Sequence, residues 1–124
     1  MEWVKSLHGK SVGLDTAPII YYVEKNPSYI DIMHAFFESV HKGECSAVTS
    51  VLTLLEGLVV PIRKNDTGLI RDYHDLLFEL KDILTISVFP SIAEEASRLR
   101  AIYNIRTPDA IQLATAITAG ASFF

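Results

Sequence analysis

Short strand-like segments alternate with helical segments along this chain, and that alternation restricts the fold more than any other feature. Residues 10–14 (KSVGL), 44–48 (ECSAV) and 83–89 (ILTISVF) are short, apolar and partly β-branched, as strands are. Longer stretches with apolar side chains three and four residues apart separate them, as helices would. Strands joined through helices pair in parallel by right-handed crossovers. The sequence therefore predicts an α/β fold, a three-layer α/β/α sandwich around a central parallel sheet.

Proline, glycine and capping residues mark where the helices begin. Pro18 fits a first helical turn, and Asp66 precedes a long amphipathic stretch. The remaining predicted starts are a Ser28–Asp31 capping box, Thr49 or Ser50, a Ser91–Glu94 capping box, and Thr107 as a cap before Pro108. The helix that begins at Asp66–Thr67 should be long, and Pro61 should end the helix before it. Residues 121–124 are typical of the beginning of one more strand.

Size and composition favour a single packed domain. The chain has 124 residues, of which 49% are apolar, and a formal charge of -4, so it can bury a core. Its one cysteine, Cys45, excludes an internal disulfide, and we expect it to be a small buried filler. No secretory signal and no bilayer-length apolar stretch is visible, which predicts a cytoplasmic protein without a membrane segment. The negative charge argues weakly against wrapping nucleic acid with a basic surface, but not against a metal-using enzyme.

Three carboxylates lie alone in apolar stretches, whereas most of the other acids lie on polar helix faces. Asp15 is the only charged residue in 11–23, Glu56 is the only one in 45–62, and none follows Asp109. A lone carboxylate is costly to desolvate unless it is paired, hydrogen-bonded or bound to a cation. These three residues are therefore the candidates for chemistry.

Each of the three carboxylates also has a purely structural interpretation. Asp15 could cap the following helix, and Asp109 could serve only the helix dipole. Glu56 lies about two turns into a helix, where capping is not available, although a rim position facing water is open to it. Together they are more informative, because the topology brings them to the carboxyl ends of parallel strands. Carboxylate oxygens suit Mg²⁺ or Mn²⁺, and such ions can activate water against a phosphodiester.

Three segments of the chain resemble the leading motifs of PIN domains, above all of the VapC-type toxin ribonucleases of bacterial and archaeal toxin–antitoxin pairs. The segments are residues 14–16 (LDT), 53–56 (TLLE) and 106–116 (RTPDAIQLATA), and the last is the most specific. The resemblance covers nearly the whole chain in order and spacing. It implies the same parallel-sheet fold with an acidic pocket for Mg²⁺ or Mn²⁺.

The resemblance also implies an activity and roles for individual residues. The activity is endonucleolytic cleavage of single-stranded RNA, often tRNA or rRNA, by a toxin that pairs with an antitoxin protein and forms a homodimer. Asp15, Glu56 and Asp109 would be the catalytic, metal-binding acids, and Thr16 and Thr107 would support them. Three cations are candidates for contacts with RNA phosphates: Arg63, Lys64 and Arg106.

One departure from the family pattern bears on activity. In PIN domains a segment similar to 120–124 is followed by a Thr-Asn-Asp type motif with a fourth acid. We therefore expect a single domain over residues 1–124 without the family's complete C-terminal strand and tail. The alternative to an enzyme is a catalytically impaired PIN-like binding module that acts through a protein partner, with an apolar surface on residues 18–37.

A receiver-like phosphoacceptor would also gather carboxylates around Mg²⁺. That chemistry needs adjacent acids after the first strand and a lysine late in the chain. Asp15 has no acidic neighbour and no lysine follows Lys81, so the sequence disfavours this class.

Overall fold

A computed structural model describes residues 2–124, which form a parallel sheet covered by helices. The strands are β1 (Ser11–Gly13), β2 (Ser46–Ser50) and β3 (Ile83–Ile86). The helices are α1 (Glu2–Lys5), α2 (Thr16–Val23), α3 (Ile30–His41), α4 (Leu52–Arg63), α5 (Thr67–His74), α6 (Pro90–Tyr103) and α7 (Thr107–Thr118). A π-helical turn, Asp75–Glu79, continues α5 toward β3.

The sheet has the order β1-β2-β3, and both pairings are parallel. Val12 also forms a parallel bridge with Phe123, and the Gly13 amide donates to the Phe123 carbonyl at 2.7 Å. Residues 121–124 therefore reach the free edge of β1. The sequence predicts the beginning of a strand in these residues, but their pairing with β1 is a single bridge.

The two faces of the sheet carry different cores, which completes the predicted three-layer α/β/α arrangement. One face packs against α2, α3 and α5 in a cluster that includes Val12, Leu14 and Ile83. The other face packs against α6 and α7, whose small core includes Ala110 and Ala114. A Cβ atom on Gly13 would lie 2.6 Å from the Ala116 Cβ, so only glycine allows α7 to approach β1 this closely.

Several predicted boundaries are wrong. Tyr29, Phe89 and Arg106 occupy the N-cap positions of α3, α6 and α7, and none of their side chains makes a capping hydrogen bond. Neither capping box forms, and Thr107 is the first residue of its helix rather than its cap. The prolines at positions 90 and 108 supply a fixed φ in these first turns, which starts α6 and α7 without a capping side chain. By contrast, Asp66 does cap α5, accepting from the Leu69 amide at 3.1 Å.

Other element ends also move. β2 continues through Thr49 and Ser50, which the sequence assigns to a helix cap, because both residues are buried with tertiary partners. β3 ends at Ile86 rather than at residue 89, and α4 runs past Pro61 to Arg63.

Two further predictions concern the burial of Cys45 and membrane-spanning segments. Cys45 is buried as expected, and burial raises the pKa of its thiol above the ordinary value. Among residues 2–124, no helix combines the length and apolar character needed to cross a membrane.

Candidate active site

Asp15 lies at the carboxyl end of β1, where the chain turns into α2. It is half-buried, and its backbone is extended at the N-cap position of α2. Its Oδ1 atom accepts a hydrogen bond of 2.7 Å from the Thr16 amide. The capping interpretation is therefore correct as geometry, and it does not exclude a metal-binding role, since a carboxylate has several acceptor positions.

Glu56 comes to the same place from α4, the helix that follows β2. It is half-buried, and its Oε1 atom accepts a hydrogen bond of 2.6 Å from the Thr16 hydroxyl. Thr16 is itself buried. One threonine therefore donates its backbone N–H to Asp15 and its O–H to Glu56, which holds two of the three predicted acids side by side.

Asp109 lies in the first turn of α7 and forms an ion pair with Arg106. The Arg106 Nε atom donates to Oδ2 at 2.9 Å, and Nη2 lies 3.4 Å from Oδ1. The hydrogen bond and charge of Asp109 raise the pKa of the Arg106 guanidinium, and the charges of Asp15 and Glu56 add to that rise. All three predicted acids thus act on one arginine, although its side chain is exposed.

The other predicted site residues differ in how close they lie to the acids. Thr107 is exposed at the start of α7, whereas Thr16 is buried between two carboxylates. Arg63 and Lys64 are exposed at the far end of α4, about 10 Å along the helix from Glu56. Of the three predicted phosphate contacts, Arg106 is the one beside the acids.

A buried polar cluster beneath the acids was not predicted from the sequence. Gln112 of α7 contacts Thr16 of α2, Thr53 of α4, and Thr49 and Ser50 of β2. Within the described part of the chain, no fully buried side-chain nitrogen or oxygen lacks a hydrogen-bond partner. One sequence signal pointed to Gln112, because its amide lies between Ile111 and Leu113 in a stretch, residues 110–114, that is otherwise apolar.

The donor chemistry of the site fits a hard divalent cation only in part. Among residues 2–124, no group of three or more carboxylate, imidazole or thiol side chains is arranged to hold a metal ion. Mg²⁺ is, however, commonly held by one or two carboxylates with water completing its shell. Asp15 and Glu56, both hydrogen-bonded to Thr16, are such a pair. Both Asp109 oxygens face the Arg106 guanidinium, so this ion pair competes with a cation for the third carboxylate.

Comparisons with known proteins point to one family. The sequence model of the family described as PIN domain matches residues 12–124. A chain in the structure "Toxin-antitoxin complex from Klebsiella pneumoniae" is similar, with a TM-score of 0.65 and 22% sequence identity, over 93% of this chain and 83% of that chain. At that identity the likeness concerns the fold. A comparison with curated protein sequences gives no match.

Proposed function

Because this chain belongs to the PIN domain family, we propose that it is a nuclease that hydrolyses RNA phosphodiester bonds with the help of Mg²⁺ or Mn²⁺. The observation that carries the proposal is the meeting of Asp15 and Glu56 on Thr16, beside the Asp109–Arg106 ion pair. Glu56 and Asp109 lie on two different helices and Asp15 caps a third, and in sequence they stand alone in apolar stretches. Solvation of helix surfaces does not account for such a convergence.

In the proposed mechanism, Asp15 and Glu56 would hold the cation. Thr16 keeps the two carboxylates in place through its amide and hydroxyl, so that they are oriented before the cation binds. The bound ion would supply an activated water and would offset the negative charge that develops on the phosphoryl group. Asp109 would be the third acid to bind the cation, in competition with its ion pair to Arg106.

Arg106 has two successive partners in this proposal. Its guanidinium pairs with Asp109 and partly offsets the charge of the other two acids. When the pair opens, the same planar group can bind a phosphate oxygen of RNA in the bidentate manner typical of arginine. Arg63 and Lys64 would extend this contact along the exposed end of α4.

A narrower proposal concerns substrate, partner and setting. We propose cleavage of single-stranded regions of tRNA or rRNA by a cytoplasmic, homodimeric toxin that a cognate antitoxin protein restrains. The motif resemblance to VapC-type toxins supports this proposal. So does the fold shared with a chain of a toxin–antitoxin complex.

The second candidate function is a PIN-like binding module without turnover. The ion pair between Arg106 and Asp109 favours it, since the guanidinium competes with a cation for that acid. The apolar surface expected on residues 18–37 is present only in part. Tyr29 and Ile32 are exposed there, but Ile19, Phe36 and Phe37 are buried.

Neutral isosteres of the acids separate the two functions. In the nuclease, Asp15→Asn, Glu56→Gln and Asp109→Asn should each lower kcat/KM for RNA cleavage by about 100-fold or more, the scale of losing a group at the reacting centre. Asp31→Asn is the matched control, because Asp31 is also an acid in the first turn of a helix, α3, outside the site. Thermal unfolding should show that all four variants fold. If Asp15→Asn and Glu56→Gln cleave RNA as well as the Asp31→Asn control does, the mechanism is refuted.

A further inference from the structure

We propose that Gln112 is a positioning residue of this site, whose buried amide sets the direction of the Thr16 hydroxyl and thereby the place of Glu56. The inference deepens the proposed nuclease function, and its consequence for catalysis rests on that function. Gln112 lies on α7, whereas Thr16 and Glu56 belong to α2 and α4. The link therefore joins elements that are far apart in the chain.

Gln112 uses both ends of its amide. Its Oε1 atom accepts from the Ser50 amide at 3.2 Å. The Thr49 hydroxyl oxygen also lies 3.4 Å away, but its proton has a nearer acceptor in the Leu14 carbonyl, at 2.9 Å. Its Nε2 atom donates to the Thr53 hydroxyl oxygen at 2.8 Å and to that of Thr16 at 3.3 Å. Only 1% of the residue is exposed. A buried amide is costly without partners, and three of them, the Ser50 amide and the hydroxyl oxygens of Thr53 and Thr16, hold this residue in one orientation.

The chemistry of the end groups fixes the direction of the hydrogen bonds that run from Ser50 through Gln112 and Thr16 to Glu56. The Ser50 backbone N–H can only donate, so the Gln112 oxygen must face it and the NH₂ group must face Thr16. At the other end, the Glu56 carboxylate can only accept. The single proton of the Thr16 hydroxyl therefore points to Glu56, and its oxygen is left to accept from Gln112.

A purely structural role for Gln112 would be to fasten α7 to β2 and α4. That role needs only the bonds to Ser50 and Thr53, and its loss would lower stability without moving Glu56. The positioning role predicts in addition that the Thr16 hydroxyl loses its fixed direction. The two roles thus differ in what happens to Thr16 and to cation binding.

The principal test replaces Gln112 by methionine, which has a similar length and no amide. Gln112→Met should raise the dissociation constant for Mn²⁺, measured by calorimetry, about tenfold, as for other residues that hold metal ligands in place. The Thr16 hydroxyl proton, assigned in the NMR spectrum of the metal-free protein by its absence in Thr16→Val, should broaden or vanish. Thr115→Val is the matched control. Thr115 is buried on the same helix, but its hydroxyl donates to the Ile111 carbonyl, outside the cluster.

Two further variants make the test independent of one substitution. Gln112→Glu keeps the length and the oxygen facing Ser50 but lacks the NH₂ donor, so it too should disturb the Thr16 hydroxyl signal. It is assessed by that signal alone, because its added charge would itself alter cation binding. In a Thr16→Val background, Gln112→Met should change the Mn²⁺ dissociation constant less than about twofold, because residues that act as one unit are not additive.

The outcomes distinguish this inference from the proposed function. If Gln112→Met and Thr115→Val have the same Mn²⁺ affinity and the same Thr16 signal, Gln112 only fastens the helix and the inference is wrong. Full additivity in the Thr16→Val background would also overturn it. The hydroxyl signal is recorded without metal or RNA. If Gln112→Met loses the Thr16 hydroxyl signal but the wild-type protein cleaves no RNA, the positioning role is kept and the nuclease function is refuted.

Discussion

The hydroxyl of Thr16 donates a hydrogen bond of 2.6 Å to Glu56, a residue 40 positions further along the chain. This contact brings the helix after β1 and the helix after β2 together at the carboxyl edge of the sheet. Because the backbone N–H of the same threonine donates to Asp15, the spacing of two predicted metal ligands depends on one residue. A hydrogen bond to a carboxylate is among the stronger kinds in proteins.

Removing the hydroxyl should therefore weaken cation binding. We expect Thr16→Val to raise the Mn²⁺ dissociation constant about tenfold, whereas Thr16→Ser, which keeps the hydroxyl, should stay closer to the wild type. Calorimetric titration measures both. Thr85→Val serves as the control, since the Thr85 hydroxyl donates to the Leu77 carbonyl at 2.7 Å, outside the site. Identical affinities for the Thr16→Val and Thr16→Ser proteins would contradict the role given to the hydroxyl.

Replacing Arg106 should have opposite effects on two ligands. Arg106→Gln removes the cation that pairs with Asp109, so Mn²⁺ should bind about two- to fivefold more tightly, a modest effect because the pair is exposed. RNA should bind less tightly, because a phosphate contact is lost. Arg98→Gln is a close control, since Arg98 forms a similar pair with Glu95 three residues away on α6. The proposal for Arg106 fails if both variants bind Mn²⁺ equally.

Gly57 should be intolerant of even a methyl group. A Cβ atom there would lie 2.8 Å from the Tyr73 ring, which is fully buried. Overpacking costs about 1–3 kcal/mol, against about 1 kcal/mol gained from better helix propensity, so Gly57→Ala should be less stable in urea unfolding by up to about 2 kcal/mol. Gly68→Ala, where the nearest atom is 3.7 Å away, should be neutral or more stable. Stabilisation of both variants would show that α4 and α5 can separate easily.

Tyr73 should limit stability at alkaline pH. Burial, and then its hydrogen bond to Glu24 and the charge of Glu24, raise the pKa of the Tyr73 phenol well above its ordinary value of 10.0. The folded state therefore favours the protonated phenol, and this stability is present below pH 10.0 and is lost as the pH rises above it.

Spectrophotometric titration tests this expectation. Phenolate absorbance from Tyr73 should appear only together with unfolding, and Tyr73→Phe should reduce the dependence of unfolding on pH above 10.0. Tyr103→Phe, at an exposed position, should not. Ionisation of Tyr73 in the folded protein would contradict the assigned burial effect.

Much of the fold follows from local sequence pattern. The alternation of strand-like and helical periods predicts the parallel sheet and its layers, because each period matches one kind of buried face. Element ends are less predictable. Ser50 looks like a helix cap by its residue type, but the amide oxygen of Gln112 accepts its backbone N–H and keeps it in the strand. A partner 62 positions away has more influence than local propensity.

The candidate site was likewise predictable only in part, because some of its residues stand out in the local sequence and others depend on distant contacts. Asp15, Glu56 and Asp109 were recognisable because isolated carboxylates are costly in apolar stretches. The cluster around Gln112 was not, because it depends on contacts between residues 59 to 96 positions apart. The sequence predicted that Arg106 contacts phosphate. It did not predict the ion pair between Arg106 and Asp109, which depends on the geometry of the first turn of α7.

The most direct measurement is cleavage of a labelled mixture of tRNA and rRNA by the purified chain, with Mg²⁺, with Mn²⁺ and with excess EDTA, alongside the Asp15→Asn protein. We predict cleavage with either metal, none with EDTA, and at least about a 100-fold loss in the variant. Cleavage that persists in EDTA, or that is equal in the variant, would contradict a metal-dependent nuclease built on these acids. So would an absence of cleavage by the wild type with either metal, which would favour the binding module.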